Sequence, residues 1–251
     1  MGRVSAFGPK PLLSLAGSPD DPVPVGQRVA DAARRLVNSD LGVYVESEAW
    51  RSPNPSIAGN AIPGRTQLGV RNQAKCNLFV LDALSMAGVN VPLTNGRYPL
   101  ALDVAEFAKA GGPLVPVDIT RLRTLQTGKT QATDEFDRQV DAALALAKPD
   151  AKGKRSFNAW ASEAPYFRAN REKIEALLRQ ARPGDVLVEK HHENYRANGA
   201  HMFLVLSNTF EQNGKVECAE ANDKGAKIIH VVPQPFLRAD ALYLLRPAER
   251  V

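Results

Sequence analysis

Only two cysteines, Cys76 and Cys218, occur in 251 residues. That is too few for a disulfide framework, and the chain is long enough to bury a core without such staples. No apolar run reaches the roughly 20 residues a membrane helix needs, and Pro9 and Pro11 break the start where a signal-peptide core would lie. Aromatic residues are scarce at 6%. The basic segment Arg168 to Arg182 lacks interleaved aromatics, so the stacking pattern of nucleic-acid binders is missing. No internal repeat or long low-complexity tract is present, which excludes solenoids and disordered arrays. Neither charge sign dominates: 32 Lys and Arg oppose 27 Asp and Glu, and the net +5 is dispersed along the chain.

What remains is ordinary globular composition, 44% hydrophobic and 24% charged. We read residues 1–251 as one α+β domain. Residues 1–24, with five prolines, form an irregular arm. Val29, Ala32, Ala33, Leu36 and Val37 recur at helical spacing, which predicts an amphipathic helix from Val25. Residues 46–71 are rich in Ser, Pro, Asn and Gly and read as a long loop of the kind that borders sites. A second helix begins near Cys76, with Cys76, Phe79, Val80, Ala83 and Ala87 on one face and Gly88 as its stop. Helical patterns around 100–110, 133–148 and 158–181 make 97–180 a helical insertion. Five short strands follow, at Val186–Glu189, His201–Leu206, Val216–Ala221, Lys227–Val232 and Ala241–Arg246, and suggest a small antiparallel sheet.

Two features mark Cys76 as a nucleophile candidate. It sits at the start of a helix, where unpaired N–H groups favour an anion, and Lys75 precedes it. His201 opens a strand directly after Asn198-Gly199-Ala200, a place where an imidazole can face a cleft and serve as base. If the strands 201–206 and 216–221 form a hairpin, His201 pairs near 221–222, and residues 218, 220 and 222 share its face. Glu220 and Asn222 are then the candidates to orient the imidazole, while Asp223 has the opposite parity. Cys218 has no base assigned to it and reads as a packing residue. Trp50 and Trp160 also read as packing residues.

Three blocks in order carry a family resemblance. They are Lys75-Cys76-Asn77-Leu78-Phe79-Val80 leading a helix, Pro183-Gly184-Asp185-Val186 before a strand, and Gly199-Ala200-His201-Met202 opening the next, with Glu220-Ala221-Asn222 after it. Together they resemble the papain-like cysteine amidases of the NlpC-type and CHAP superfamily, which cut peptidoglycan peptides. The resemblance covers residues 25–90 and 183–246. The sequence departs from the family beside the nucleophile, where Lys75 and Asn77 replace the familiar aspartate or threonine, and Tyr44 is the one candidate for the tyrosine found upstream in NlpC-type enzymes. The implied fold is a papain-like core with N-terminal helices packed on a small antiparallel sheet. The implied chemistry is amide hydrolysis: Cys76 attacks, His201 accepts and returns the proton, and Glu220 or Asn222 fixes the ring. The Cys76 N–H, with Gln73 or Gln67, is the implied oxyanion donor.

Other readings of the same residues are a related papain-like protease, deamidase or acyltransferase, or a non-catalytic binding module resting on the basic balance and the amphipathic segment 168–182. A zinc site from His191, His192, Glu193, His201 and Glu220 is disfavoured, because adjacent strand residues point to opposite faces and 190–200 reads as a loop. We therefore expect no cofactor or metal, no nucleic-acid partner and no membrane insertion. Made without an ordinary signal peptide, a wall amidase needs another way out, and delivery as an antibacterial effector to a target cell's periplasm fits. That route implies a secretion-apparatus component and an immunity protein as partners.

Overall fold

The computed structural model describes residues 23–39, 44, 75–91, 93, 98–109, 112–122, 165–191, 199–222, 224–233, 235–236 and 239–249. The arm up to residue 22, the loop 46–71, the helical pattern 133–148, and Gln67, Gln73, Trp50, Trp160, His192, Glu193 and Asp223 lie outside them.

The apolar spacing after Pro24 produces helix α1, Val25–Asn38, which buries Val25, Val29, Ala30, Ala32, Ala33 and Leu36. Helix α2, Cys76–Met86, was expected to bury one face, yet every residue from Cys76 to Leu84 is buried. A helix buried on all sides belongs inside a structure, and α2 packs against both α1 and the sheet strands Ala200–Asn208 and Val216–Asn222. Its one buried carboxylate, Asp82, accepts hydrogen bonds from Tyr44 Oη at 2.7 Å and Tyr98 Oη at 3.0 Å. Tyr44 also packs edge-on against Phe79. Gly88, at φ 82°, ends the helix, and the N–H groups of Gly88 and Val89 return to the carbonyls of Ser85 and Leu84.

Helix α3 is Ala101–Lys109, strand β1 is Leu114–Arg121 and helix α4 is Pro165–Gln180. Strand β1 corrects the expectation that 97–180 is helical throughout. Its Gly- and Pro-rich start reads as a break, but β1 is an edge strand, where proline is tolerated, and Pro116 sits at a register irregularity in its pairing with β6. Strands β2, Val186–His191, β3, Ala200–Asn208, β4, Val216–Asn222, β5, Gly225–Val231, and β6, Ala239–Pro247, match the five expected segments, with a short helix α5, Phe210–Asn213, between β3 and β4. All pairings are antiparallel, in the order β1-β6-β2-β3-β4-β5.

Alternation divides the sheet between two cores. Val186, Val188, Met202, Leu204, Ala219, Ala221 and Leu245 face α1, α2 and α3. Leu187, Phe203, Val205, Cys218, Leu242 and Leu244 pack with Ile174, Leu177 and Leu178 of α4 and with Phe236. The sheet thus carries helices on both faces, one layer more than expected, which explains why its central strands read as near-continuous apolar runs. The amphipathicity of 168–182 is accounted for by this second core. The polar side of α4 is laced by Arg171–Glu175 and Arg179–Glu175 pairs at 2.8 and 3.3 Å.

The Pro183-Gly184-Asp185 turn ties these layers together. Gly184 has φ 85°, and a Cβ there would lie 2.2 Å from the Gly26 carbonyl oxygen, so the turn and the first turn of α1 cross backbone to backbone. The Asp185 carboxylate, 1% exposed, receives Arg246 Nε at 2.8 Å, Arg246 Nη2 at 2.7 Å and the Arg182 N–H at 2.8 Å. Burial pushes this carboxyl up, and the Arg246 fork opposes the rise.

Candidate active site

The start of α2 and the start of β3 meet. Cys76 is the first residue of α2, whose N-cap Lys75 supplies no side-chain cap, so the first-turn N–H groups remain available to a negative charge. The thiol is hydrogen-bonded to His201, and the backbone N–H groups of Met202 and Asn77 also point at the sulfur. Burial alone would raise the Cys76 thiol, but His201 and the two N–H donors outweigh it and hold the thiol below its ordinary value.

His201 is held from behind. Its Nε2 lies 2.7 Å from Glu220 Oε2, which leaves Nδ1 as the ring nitrogen for Cys76. The β3–β4 pairing includes Leu204↔Ala219 and Val205↔Cys218, and beyond its Leu204 end the His201 and Glu220 side chains meet. Phe203 packs edge-on against the imidazole with centroids 4.5 Å apart, and Phe236 backs Phe203 at 5.7 Å. Burial would lower the His201 pKa, but Cys76 in front and Glu220 behind raise it to about 10. The shifts of thiol and imidazole run in opposite directions, and each favours the charged form of its own group next to the other.

Asn222 does not reach His201. Its Nδ2 donates to Glu220 Oε1 at 3.3 Å, and its Oδ1 accepts the Lys224 N–H at 2.9 Å. Glu220 therefore contacts the imidazole and Asn222 braces Glu220. Lys227 Nζ, 3.1 Å from the same Oε1, was not singled out from the sequence. The signal was present: the short turn after Asn222 pairs Asn222 with Gly225 and so places Lys227 directly opposite Glu220.

Tyr44 is spent on Asp82 inside the core. Cys218 is fully buried, and burial together with the charges of Glu220 and Glu217 pushes its thiol far up, the reverse of Cys76. His191 ends β2. Among the described residues no three His, Cys, Asp or Glu side chains stand together as a metal site.

A buried thiol at a helix tip, an imidazole against it and a carboxylate behind the imidazole have the arrangement that nucleophilic catalysis asks of a nucleophile, a base and an orienting group. Comparisons with protein-family models, curated proteins and solved structures find no match to this chain.

Proposed function

We propose that the protein is a cysteine-dependent amide hydrolase of papain-like design that cuts peptide bonds in bacterial peptidoglycan. One observation carries the chemistry: Cys76 at the tip of α2 is hydrogen-bonded to His201, whose far nitrogen lies 2.7 Å from Glu220. In the first step the Cys76 thiolate attacks the amide carbonyl. As the tetrahedral intermediate collapses, the His201 imidazolium gives its proton to the departing amine, leaving a thioester on Cys76. In the second step His201 takes a proton from water, the hydroxide attacks the thioester, and the carboxylic acid departs as Cys76 returns to thiolate. Glu220 keeps the ring oriented and its charge compensated through both steps, and Asn222 and Lys227 steady Glu220. The backbone N–H of Cys76, at the helix start, is the oxyanion donor within the described residues.

The substrate class rests on the ordered blocks Lys75–Val80, Pro183–Val186, Gly199–Met202 and Glu220–Asn222, which resemble the NlpC-type and CHAP amidases. Action on a target cell's wall, with a partner that plugs the cleft in the producing cell, follows from the same reading. The test is digestion of isolated peptidoglycan sacculi by wild-type and Cys76→Ala protein, with released fragments identified by mass spectrometry. New peptide termini with wild type alone are expected. Intact sacculi, under conditions where a control amidase cuts, would overturn the substrate assignment.

A further inference from the structure

We propose that Lys227 is a positioning residue for the Cys76–His201 pair, acting through Glu220, whose outer oxygen it anchors and whose charge it offsets. The inference rests on the reading of Cys76 and His201 as a working pair. Glu220 divides its two oxygens: Oε2 lies 2.7 Å from His201 Nε2, while Oε1 receives Lys227 Nζ at 3.1 Å and Asn222 Nδ2 at 3.3 Å. A carboxylate held through both oxygens presents Oε2 to the imidazole in a single orientation, and because Asn222 keeps Oε1 held when Lys227 is replaced, Lys227→Met changes the charge on Glu220's far side more than its orientation. The β4–β5 ladder fixes the arrangement, because Glu220 and Lys227 are direct cross-strand partners.

Charge gives Lys227 its second role. Around His201 stand Cys76 from α2, Glu189 from β2, directly opposite His201 in the β2–β3 ladder, and Glu220 from β4. Glu189 and Glu220 are both buried. With a thiolate in front and the Glu220 carboxylate behind, an imidazolium would be bound too firmly to release its proton to a leaving amine. Lys227, from β5, is the cation that reaches Glu220 from its far side, and its side chain is 47% exposed, so it can be replaced without opening the core.

The test follows the rate of Cys76 alkylation by iodoacetamide against pH in the full-length protein, read by peptide mass so that Cys218 is counted separately. Wild type, His201→Ala, Lys227→Met and Lys227→Arg are compared. In wild type the profile has an acid inflection, where the thiol ionises beside the imidazolium, and an alkaline one, where the imidazolium loses its proton. Lys227→Met is expected to move the alkaline inflection up by about half a pH unit, the size of one charge felt across a carboxylate in a high-dielectric setting, and Lys227→Arg to restore it. An alkaline inflection that stays in place or falls in Lys227→Met, or that Arg fails to restore, overturns the role of Lys227. A His201→Ala profile identical to wild type would instead overturn the pair itself, and the inference with it.

Discussion

Replacing Glu220 by Gln keeps the shape of the side chain and removes its charge, which isolates what the carboxylate does for His201. The contact is short, 2.7 Å, and the Glu220 side chain is only 9% exposed, so water screens it little. A hydrogen bond to a charged group contributes about 1.5–3 kcal/mol and a neutral one about 0.5–1.5 kcal/mol, so the substitution weakens the hold on the imidazolium by about 1–1.5 kcal/mol. At 1.36 kcal/mol per pKa unit, His201 should lose its proton about one pH unit lower than the wild-type value of about 10. The sign follows from the charge: Glu220 raises the histidine, so its neutralisation lowers it. In the alkylation profile of Cys76 the alkaline inflection should fall by about one unit. The acid inflection, which reports the thiol ionising beside a still-charged ring, should stay nearly in place. Amide hydrolysis, which needs the charged ring to protonate the leaving amine, should be nearly unchanged just above neutral pH and fall behind wild type as pH climbs past the lowered pKa, by up to roughly tenfold only above the wild-type value of about 10. An unmoved alkaline inflection would refute the assignment of Glu220 as the group that holds the ring.

Three further outcomes test the frame around the site. Gly184→Ala places a Cβ into Gly26 at positive φ and should cost about 2–4 kcal/mol in urea denaturation, without altering the alkylation profile of whatever fraction remains folded. Asp82→Asn removes the charged acceptor shared by Tyr44 and Tyr98 and should cost about 1–3 kcal/mol, seen as a lower urea midpoint. Arg246→Met leaves the buried Asp185 carboxylate without its fork and should cost about 3 kcal/mol at neutral pH; part of that loss should return in acid, where the carboxyl can protonate.

The site was legible in the sequence where local chemistry and a single hairpin determine it. Cys76 at a helix start, His201 at a strand start and the parity of Glu220 follow from periodicities of 3.6 and 2, and the described residues bring all three together. The choice between Glu220 and Asn222 was not legible, because both share the face of His201 and only side-chain reach separates them. Lys227 escaped notice because an exposed lysine on an edge strand looks like solvated surface until its cross-strand partner is known. Strand β1 was hidden by Pro116 and the glycines before it, which are turn signals locally and acceptable only because β6 pairs with an edge. The second helical layer was hidden for a related reason. A run such as Met202–Leu206 shows that a strand is buried, but not which helix covers its far face, and α4 is placed there by contacts distant in sequence.

The most direct test of the Cys76–His201 pair is a titration of the His201 ring by NMR in wild type and in Cys76→Ala. The thiolate is the strongest influence holding His201 protonated, so the account predicts a ring that stays charged well above neutral pH, titrating near 10 in wild type and markedly lower once the sulfur is gone. A His201 ring that titrates at the same pH in both proteins would contradict the pair, and with it the assignment of Cys76 as an activated nucleophile.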